Sequence, residues 1–212
     1  MKQVLSLSTL LVLFLVGGFF VSQQNDFTTM FTLYIQNGHL FASYLTYIVI
    51  LVVSVVLMPL SSMPLIPIMT SIAGPFITGI LNVIGWTIGA IIAFWIARVC
   101  RKSFLGKFTS LEKIDALVET IPKKSLFLFV LLLRLTLPVD ITSYALGLTK
   151  SLGFLEYFVA TFIGVLWFSF AFAYLGDALI NGNILLFIQI SSASLVIFLI
   201  GWYLLRRSRN SK

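Results

Sequence analysis

Two ionisable side chains stand six positions apart in a stretch that is otherwise almost free of charge, Arg134-Leu-Thr-Leu-Pro-Val-Asp140. A guanidinium is a planar fork of donors that suits phosphate and carboxylate oxygens. A carboxylate can hold a proton or a cation, or cap the helix that follows it. Pro138, between them, removes a backbone donor and breaks a helix. Arg134 lies about nine residues into the apolar block that starts at Ser125. At about 1.5 Å per helical residue it is roughly 13 Å deep, near the middle of a hydrocarbon core of about 30 Å. A charge there costs at least about 2.5–3.5 kcal/mol, and something must offset it. Either Arg134 meets a lipid phosphate, or it pairs internally with Asp140 or with backbone carbonyls. Asp140 is placed to be a proton or cation site, or the N-cap of the returning helix. Ser61, Ser62, Thr70, Ser71, Thr142 and Ser143 either line a polar path or satisfy themselves locally.

The elements that must position these residues are apolar and interrupted. Residues 40–97 carry no charged side chain, yet they hold Pro59, Pro64, Pro67 and Pro75, four of the protein's six prolines. Backbone groups freed by such breaks cannot face lipid and must be buried in protein or line a wet cavity. The pattern predicts a descending arm over 41–58, a non-helical stretch over 59–67, a returning arm over 68–77 and a full span over 82–98. Gly85 and Gly89 put a small-residue face on that span, which lets another helix come close. The second half repeats the oddity: an apolar arm over 125–133, a non-helical 135–140, a returning arm over 141–148, then spans over 154–174 and 184–205. Residues 4–21 read as an uncleaved first span, with a signal peptide as the alternative. Phe27, Met30, Phe31, Tyr34 and Ile35 recur at helical spacing, as in a short interfacial helix. Thr109 and Glu112 form a capping box ahead of an amphipathic helix that Pro122 stops; its acidic residues read as a solvated face. The expected organisation is an N-terminal helix and interfacial segment (1–38), a core (39–176) with broken hairpins at 41–78 and 125–149 joined by a basic segment (98–124), and a C-terminal helix and tail (177–212).

Composition excludes several classes. Of 212 residues, 59% are apolar and 10% charged, against about 25% charged in soluble domains. The net charge of +7 is concentrated in 98–124 and 206–212, each directly after an apolar run, which is the positive-inside pattern rather than a nucleic-acid surface. The same patches suit anionic lipid headgroups. A single cysteine, Cys100, and a single histidine, His39, leave no intramolecular disulfide and no histidine-based metal centre or triad within one chain. No nucleophile–base set is visible, so an enzyme is not expected, and no cofactor is implied. With Lys2 inside, charge places 22–40 outside, 98–124 and its seven basic residues inside, and the basic tail inside. Every block agrees only if the two hairpins re-enter, the first from outside and the second from inside. The halves align as Pro67-Ile-Met-Thr-Ser-Ile-Ala-Gly74 with Pro138-Val-Asp-Ile-Thr-Ser-Tyr-Ala-Leu-Gly147, the pattern of interrupted segments in corresponding positions of inverted-repeat transporters. The fold class expected is an all-α integral membrane protein.

Arg134-Leu-Thr-Leu-Pro138-Val-Asp140 followed by Tyr144-Ala-Leu-Gly147-Leu-Thr-Lys150 resembles the DedA-related superfamily, also called the SNARE-associated Golgi protein or VTT-domain family. Pro64-Leu-Ile-Pro67, Ala73-Gly74 and Gly79 resemble its first hairpin, and Phe94-Trp-Ile-Ala-Arg98 its following span. The resemblance covers roughly 44–176. It implies two facing re-entrant hairpins and movement of lipids between leaflets, with phospholipids or polyprenyl phosphate as cargo, and it marks Arg134, Asp140, Pro138, Pro64, Pro67, Gly74, Tyr144 and Gly147 as candidate substrate-binding residues. The first hairpin lacks the acidic residues of the strict DedA branch, and Asp140 stands near that branch's second arginine. The chain is therefore closer to the Golgi-type branch, which argues against proton coupling through an acidic pair. Membrane lipids are the expected partners, and a bacterial inner membrane with the C-terminus in the cytoplasm is the expected location. A proton-coupled transporter of a small solute or ion and a non-transporting scaffold are the other functions weighed.

Overall fold

A computed structural model describes residues 40–57, 62–104, 123–149 and 152–210 of the chain. The expected N-terminal span and interfacial helix, Pro59, Ser61 and the amphipathic helix of 109–122 lie outside these. The described residues form six helices and no strand: α1 Leu40–Leu57, α2 Leu65–Phe104, α3 Lys123–Thr136, α4 Val139–Gly147, α5 Phe154–Ile180 and α6 Ile184–Asn210. Four contain stretches long and apolar enough to cross a membrane: Leu40–Leu57, Leu65–Arg101, Phe154–Ile180 and Ile184–Leu204.

The helices are patterned for lipid. The buried side of α5 carries Ala160, Thr161, Gly164, Ser169, Ala173 and Gly176, while Leu155, Ile163 and Trp167 face outward. With hydrocarbon outside, large apolar side chains gain nothing by turning inward, and small residues that let backbones approach decide which faces meet. α1 obeys the same rule. Ser43, Tyr47, Leu51, Ser54 and Val55 are buried, and Phe41, Leu45 and Val53 are exposed. Its buried face rests on the small-residue face of α2: a Cβ on Gly85 would lie 2.7 Å from Leu51 Cβ, and one on Gly89 2.7 Å from Val55 Cβ. The glycines thus do what their spacing predicts. Tyr47 locks the pair, its hydroxyl donating to Asn82 Oδ1 at 2.7 Å while Asn82 Nδ2 donates to the Ser169 carbonyl of α5 at 3.2 Å. α5 packs along α2 and also touches α3 and α6.

Both breaks end sooner than the sequence predicts. In the first, Ser62–Pro64 are non-helical, but α2 begins at Leu65 and takes Pro67 into its first turn. Proline is tolerated there because the first N–H groups of a helix have no partner within it. The returning arm and the following span are separate, but they meet at a kink at Gly74 rather than between 77 and 82: Gly74, at φ 78° and ψ 162° and followed by Pro75, is the one non-helical residue within Leu65–Phe104. That region of backbone space is essentially reserved for glycine. In the second break only Leu137 and Pro138 leave the helix, not the whole of 135–140. Both halves nevertheless hold the same pieces in the same order: an apolar arm, a proline break, a nine-residue arm (65–73 and 139–147), a glycine and a long helix. α5 runs on past 174 to Ile180, and Asn183 Oδ1 accepts from the Leu186 N–H at 3.1 Å to start α6.

Candidate functional site

Arg134 stands two residues from the end of α3 and reaches across the break. One terminal nitrogen, Nη1, donates to the Val139 carbonyl at 2.7 Å, Thr142 Oγ1 at 2.6 Å and Ser143 Oγ at 3.0 Å, all on α4. The other, Nη2, donates to the Tyr157 hydroxyl at 2.8 Å and Thr161 Oγ1 at 3.0 Å on α5. The side chain is buried, and Nε is its one nitrogen without a partner. Gly164 makes room for the stem, since a Cβ there would lie 2.6 Å from Arg134 Cβ. Charge-assisted hydrogen bonds are worth about 1.5–3 kcal/mol each, so the set offsets the cost of a deep cation. The acceptors are hydroxyls and a carbonyl, and all are neutral. None of its hydrogen bonds goes to Asp140, which acts on the guanidinium only through space.

Asp140 is not the cap of α4. Pro138 holds that position without a side-chain bond, and Asp140 sits in the first turn. The first helical bond of α4 is Thr142 N–H to the Pro138 carbonyl, at 3.2 Å, so the N–H groups of 139–141 have no partner inside the helix. The start of α4 borders a cavity of about 260 Å³ that lies where the two breaks meet. Ser62 and Met63 line it from the first break; Arg134, Leu137, Pro138 and Asp140 line it from the second. Trp86, Phe168 and Phe172 form an aromatic wall, and Phe198 closes in from α6.

Three of the eight candidate residues, Arg134, Pro138 and Asp140, thus line one cavity. Pro64 does not line it but stands in the turn beside Ser62 and Met63, which do. The other four shape the helices around it. Pro67 packs on Gly176, 3.1 Å from where a Cβ would stand. Gly74 makes the bend in α2. Tyr144 donates its hydroxyl to the Val56 carbonyl at 2.5 Å, tying α4 to the end of α1. Gly147 lets α4 press on the Phe94 carbonyl and Ala97 of α2. Of the hydroxyls, Thr142 and Ser143 serve Arg134, Thr70 donates to the Ala173 carbonyl at 3.4 Å, Ser71 to the Ile68 carbonyl at 2.7 Å, and Ser62 lines the cavity.

Sequence reading missed Tyr157, Thr161 and Gly164. They fall at i, i+4 and i+7, a polar and small stripe on an apolar span, which is the signal that marks them. Tyr157 also donates to the Ala90 carbonyl at 2.8 Å and stacks on Phe94 at 4.0 Å. Arg98 and Arg101, read only as positive-inside residues, hold the chain after α4: Arg98 donates to the Thr149 and Leu152 carbonyls at 2.8 and 2.9 Å, and Arg101 to the Leu148 carbonyl.

Apolar spans around a cavity built from two helix breaks and a buried arginine define an integral membrane protein of the broken-helix kind. The VTT domain profile matches residues 57–178, more than half of the 212-residue chain, and covers both breaks. The chain belongs to the VTT domain family, within the DedA/SNARE-associated Golgi superfamily. Searches among curated proteins and among solved structures found no match.

Proposed function

We propose that this protein moves lipids between leaflets, admitting the anionic phosphate of a headgroup, from a phospholipid or a polyprenyl phosphate, into the cavity between the breaks. The observation that carries the proposal is Arg134: a buried cation whose two terminal nitrogens are held by neutral protein groups, beside a cavity that the N-terminus of α4 also borders. Helix N-termini carry partial positive charge and free N–H groups, and anions gather there. A phosphate in the cavity would meet the start of α4 and the field of the Arg134 guanidinium. Arg134's terminal nitrogens hold the two sides of the break together, so its part in binding is mainly its field and the loop it orders. The lipid tails stay in the bilayer. Their place is not beside Gly85 and Gly89, since α1 covers that face.

In this reading α1 with the first nine residues of α2, and α3 with α4, are the two re-entrant hairpins of an inverted repeat. The basic segment after α2 and the C-terminal tail lie in the cytoplasm of a bacterial cell, and the basic segment touches anionic headgroups. The chain performs no covalent chemistry. The test is flux of labelled lipids across liposomes that contain the purified protein. Accelerated flux with some lipid is expected; no acceleration with any phospholipid or polyprenyl phosphate overturns the proposal. A second reading, proton-coupled transport of a small solute, draws on one observation, the Asp140 carboxylate in the cavity wall. It requires flux to follow an imposed pH gradient, whereas facilitated lipid movement does not.

A further inference from the structure

Of the four helices long enough to cross a membrane, α6 is the least covered. Only 6% of its most apolar stretch is buried, against 28% to 61% in the others. One side of α6 belongs to the molecule: Phe198 lines the cavity, and a Cβ on Gly201 would lie 3.0 Å from the Thr136 methyl of α3. The opposite side is a continuous exposed stripe, Leu185, Gln189, Ser192, Val196, Leu199 and Tyr203, at alternating spacings of four and three residues. An apolar stripe alone asks for nothing but lipid. Gln189 changes that. It stands five residues into Ile184–Leu204, 21 residues without a charged side chain, so it lies roughly 8 Å along a span that matches a hydrocarbon core of about 30 Å. The Ser192 hydroxyl donates to the Gln189 backbone carbonyl at 2.9 Å, but the Gln189 side-chain amide has no hydrogen-bond partner among the described residues. Hydrocarbon offers it none, and an unpaired amide there is costly.

The membrane restricts what can satisfy it. Copies of one chain insert in the same orientation, so two α6 stripes that face each other run parallel about a two-fold axis along the bilayer normal, and each residue meets its own counterpart at the same depth. A primary amide carries both donors and an acceptor, so it is its own complement: Nε2–H of each Gln189 donates to Oε1 of the other. A different membrane protein would need a matching amide at that depth, whereas a second copy has one by construction. The stripe holds no charge to repel its copy. Ser192, one turn from the amide, is small enough to let the backbones come close, and small and polar residues are what join helices in lipid. We infer that α6 is a homodimer interface, in which two copies of the chain pair through this stripe and are held by reciprocal hydrogen bonds between their Gln189 side chains. The contact lies on the side of α6 away from the cavity and does not depend on what the cavity carries.

The experiment uses purified full-length protein, labelled at its single thiol, Cys100, with a donor or an acceptor dye and reconstituted in liposomes over a range of protein-to-lipid ratios. Energy transfer between wild-type copies is expected to persist on dilution. Gln189→Leu is expected to move the midpoint of dissociation to about tenfold higher protein density, the scale of an interhelical hydrogen-bonded pair. Gln189→Asn, which keeps an amide, retains much of the pairing. In a Cys100→Ser background, oxidation is expected to cross-link Val196→Cys into dimers and to leave Phe187→Cys, about half a turn away around the helix, as monomer. Energy transfer at the random level in the wild type at every ratio overturns the proposal. A dimer whose midpoint Gln189→Leu leaves unchanged overturns it too, because pairing then does not use the amide, as does cross-linking through Phe187→Cys in place of Val196→Cys. A monomer in which Val196→Cys cross-links to a cysteine placed within residues 4–21 also overturns it and assigns the stripe to that segment of the same chain. If Gln189→Leu does not fold, the wild-type dilution and the two cross-links decide.

Discussion

At the residue scale the molecule turns on how Arg134 is solvated. Its nearest bonded partners are Thr142, Ser143, Tyr157, Thr161 and the Val139 carbonyl. Arg134→Ala therefore strands four buried hydroxyls and a carbonyl rather than a carboxylate. Local rebonding is available to some of them, since Ser143 and Thr142 already donate to the Val139 carbonyl at 2.5 and 3.0 Å. The expected outcome is an inserted protein that has lost on the order of 2–3 kcal/mol and whose lipid flux is abolished, read as thermal midpoint and flux on the same preparation. Arg134→Lys keeps the charge but cannot fork between α4 and α5, so partial flux is expected. Adding Asp140→Asn to Arg134→Ala should not restore stability; recovery of folding and flux in that double variant would make the two a structural pair after all. Tyr157→Phe tests the same network from the other side. It removes a hydroxyl that accepts from Arg134 and donates to the Ala90 carbonyl. A loss of about 1–3 kcal/mol is expected, with reduced flux.

At the element scale, glycines set the distances between helices and one of them sets a bend. Gly164→Ala would push a methyl group into Arg134 Cβ at 2.6 Å, and overpacking of this kind costs about 1–3 kcal/mol. Because the strain falls on the α3–α5 contact that carries the guanidinium, flux should fall by more than stability alone explains. Gly74 is a different case, with nothing within 4 Å of an added Cβ. Gly74→Ala therefore meets only backbone strain, of order 1–3 kcal/mol. It is expected to lower the thermal midpoint or to straighten α2 between its nine-residue arm and its long span; an unchanged midpoint would show that the bend is not needed. The breaks at Ser62–Pro64 and Leu137–Pro138 were legible as prolines in apolar runs. Their lengths were not, because a proline in the first turn of a helix, such as Pro67, has the same composition as one that ends a helix.

At the scale of the whole molecule, apolar side chains on the outside and small or polar ones within make a bilayer the only fitting solvent. The proposed orientation follows from the basic segment after α2. Cys100, the single thiol, is partly exposed near the end of α2. In intact cells a membrane-impermeant thiol reagent is expected to leave it unlabelled and to label it once the membrane is opened. Rapid labelling from outside would invert the proposed topology and with it the re-entrant reading of α1, which is long enough to cross on its own.

The sequence by itself determined the class of protein, the existence of two proline breaks in corresponding places and the presence of a charge where charge is costly. Each of these is a matter of composition and order along the chain, which folding does not alter. Only the tertiary structure decided what surrounds that charge. Tyr157, Thr161 and Gly164 lie 23, 27 and 30 positions beyond Arg134, and nothing local says that their helix passes beside α3. The same holds for Gly85 and Gly89. Their spacing announces a close contact, but the identity of the covering helix, α1, depends on which buried faces match in three dimensions. Asp140 shows the limit from the other side: next to a break it reads as a cap, and a shift of two residues in where α4 begins turns it instead into the acidic wall of a cavity.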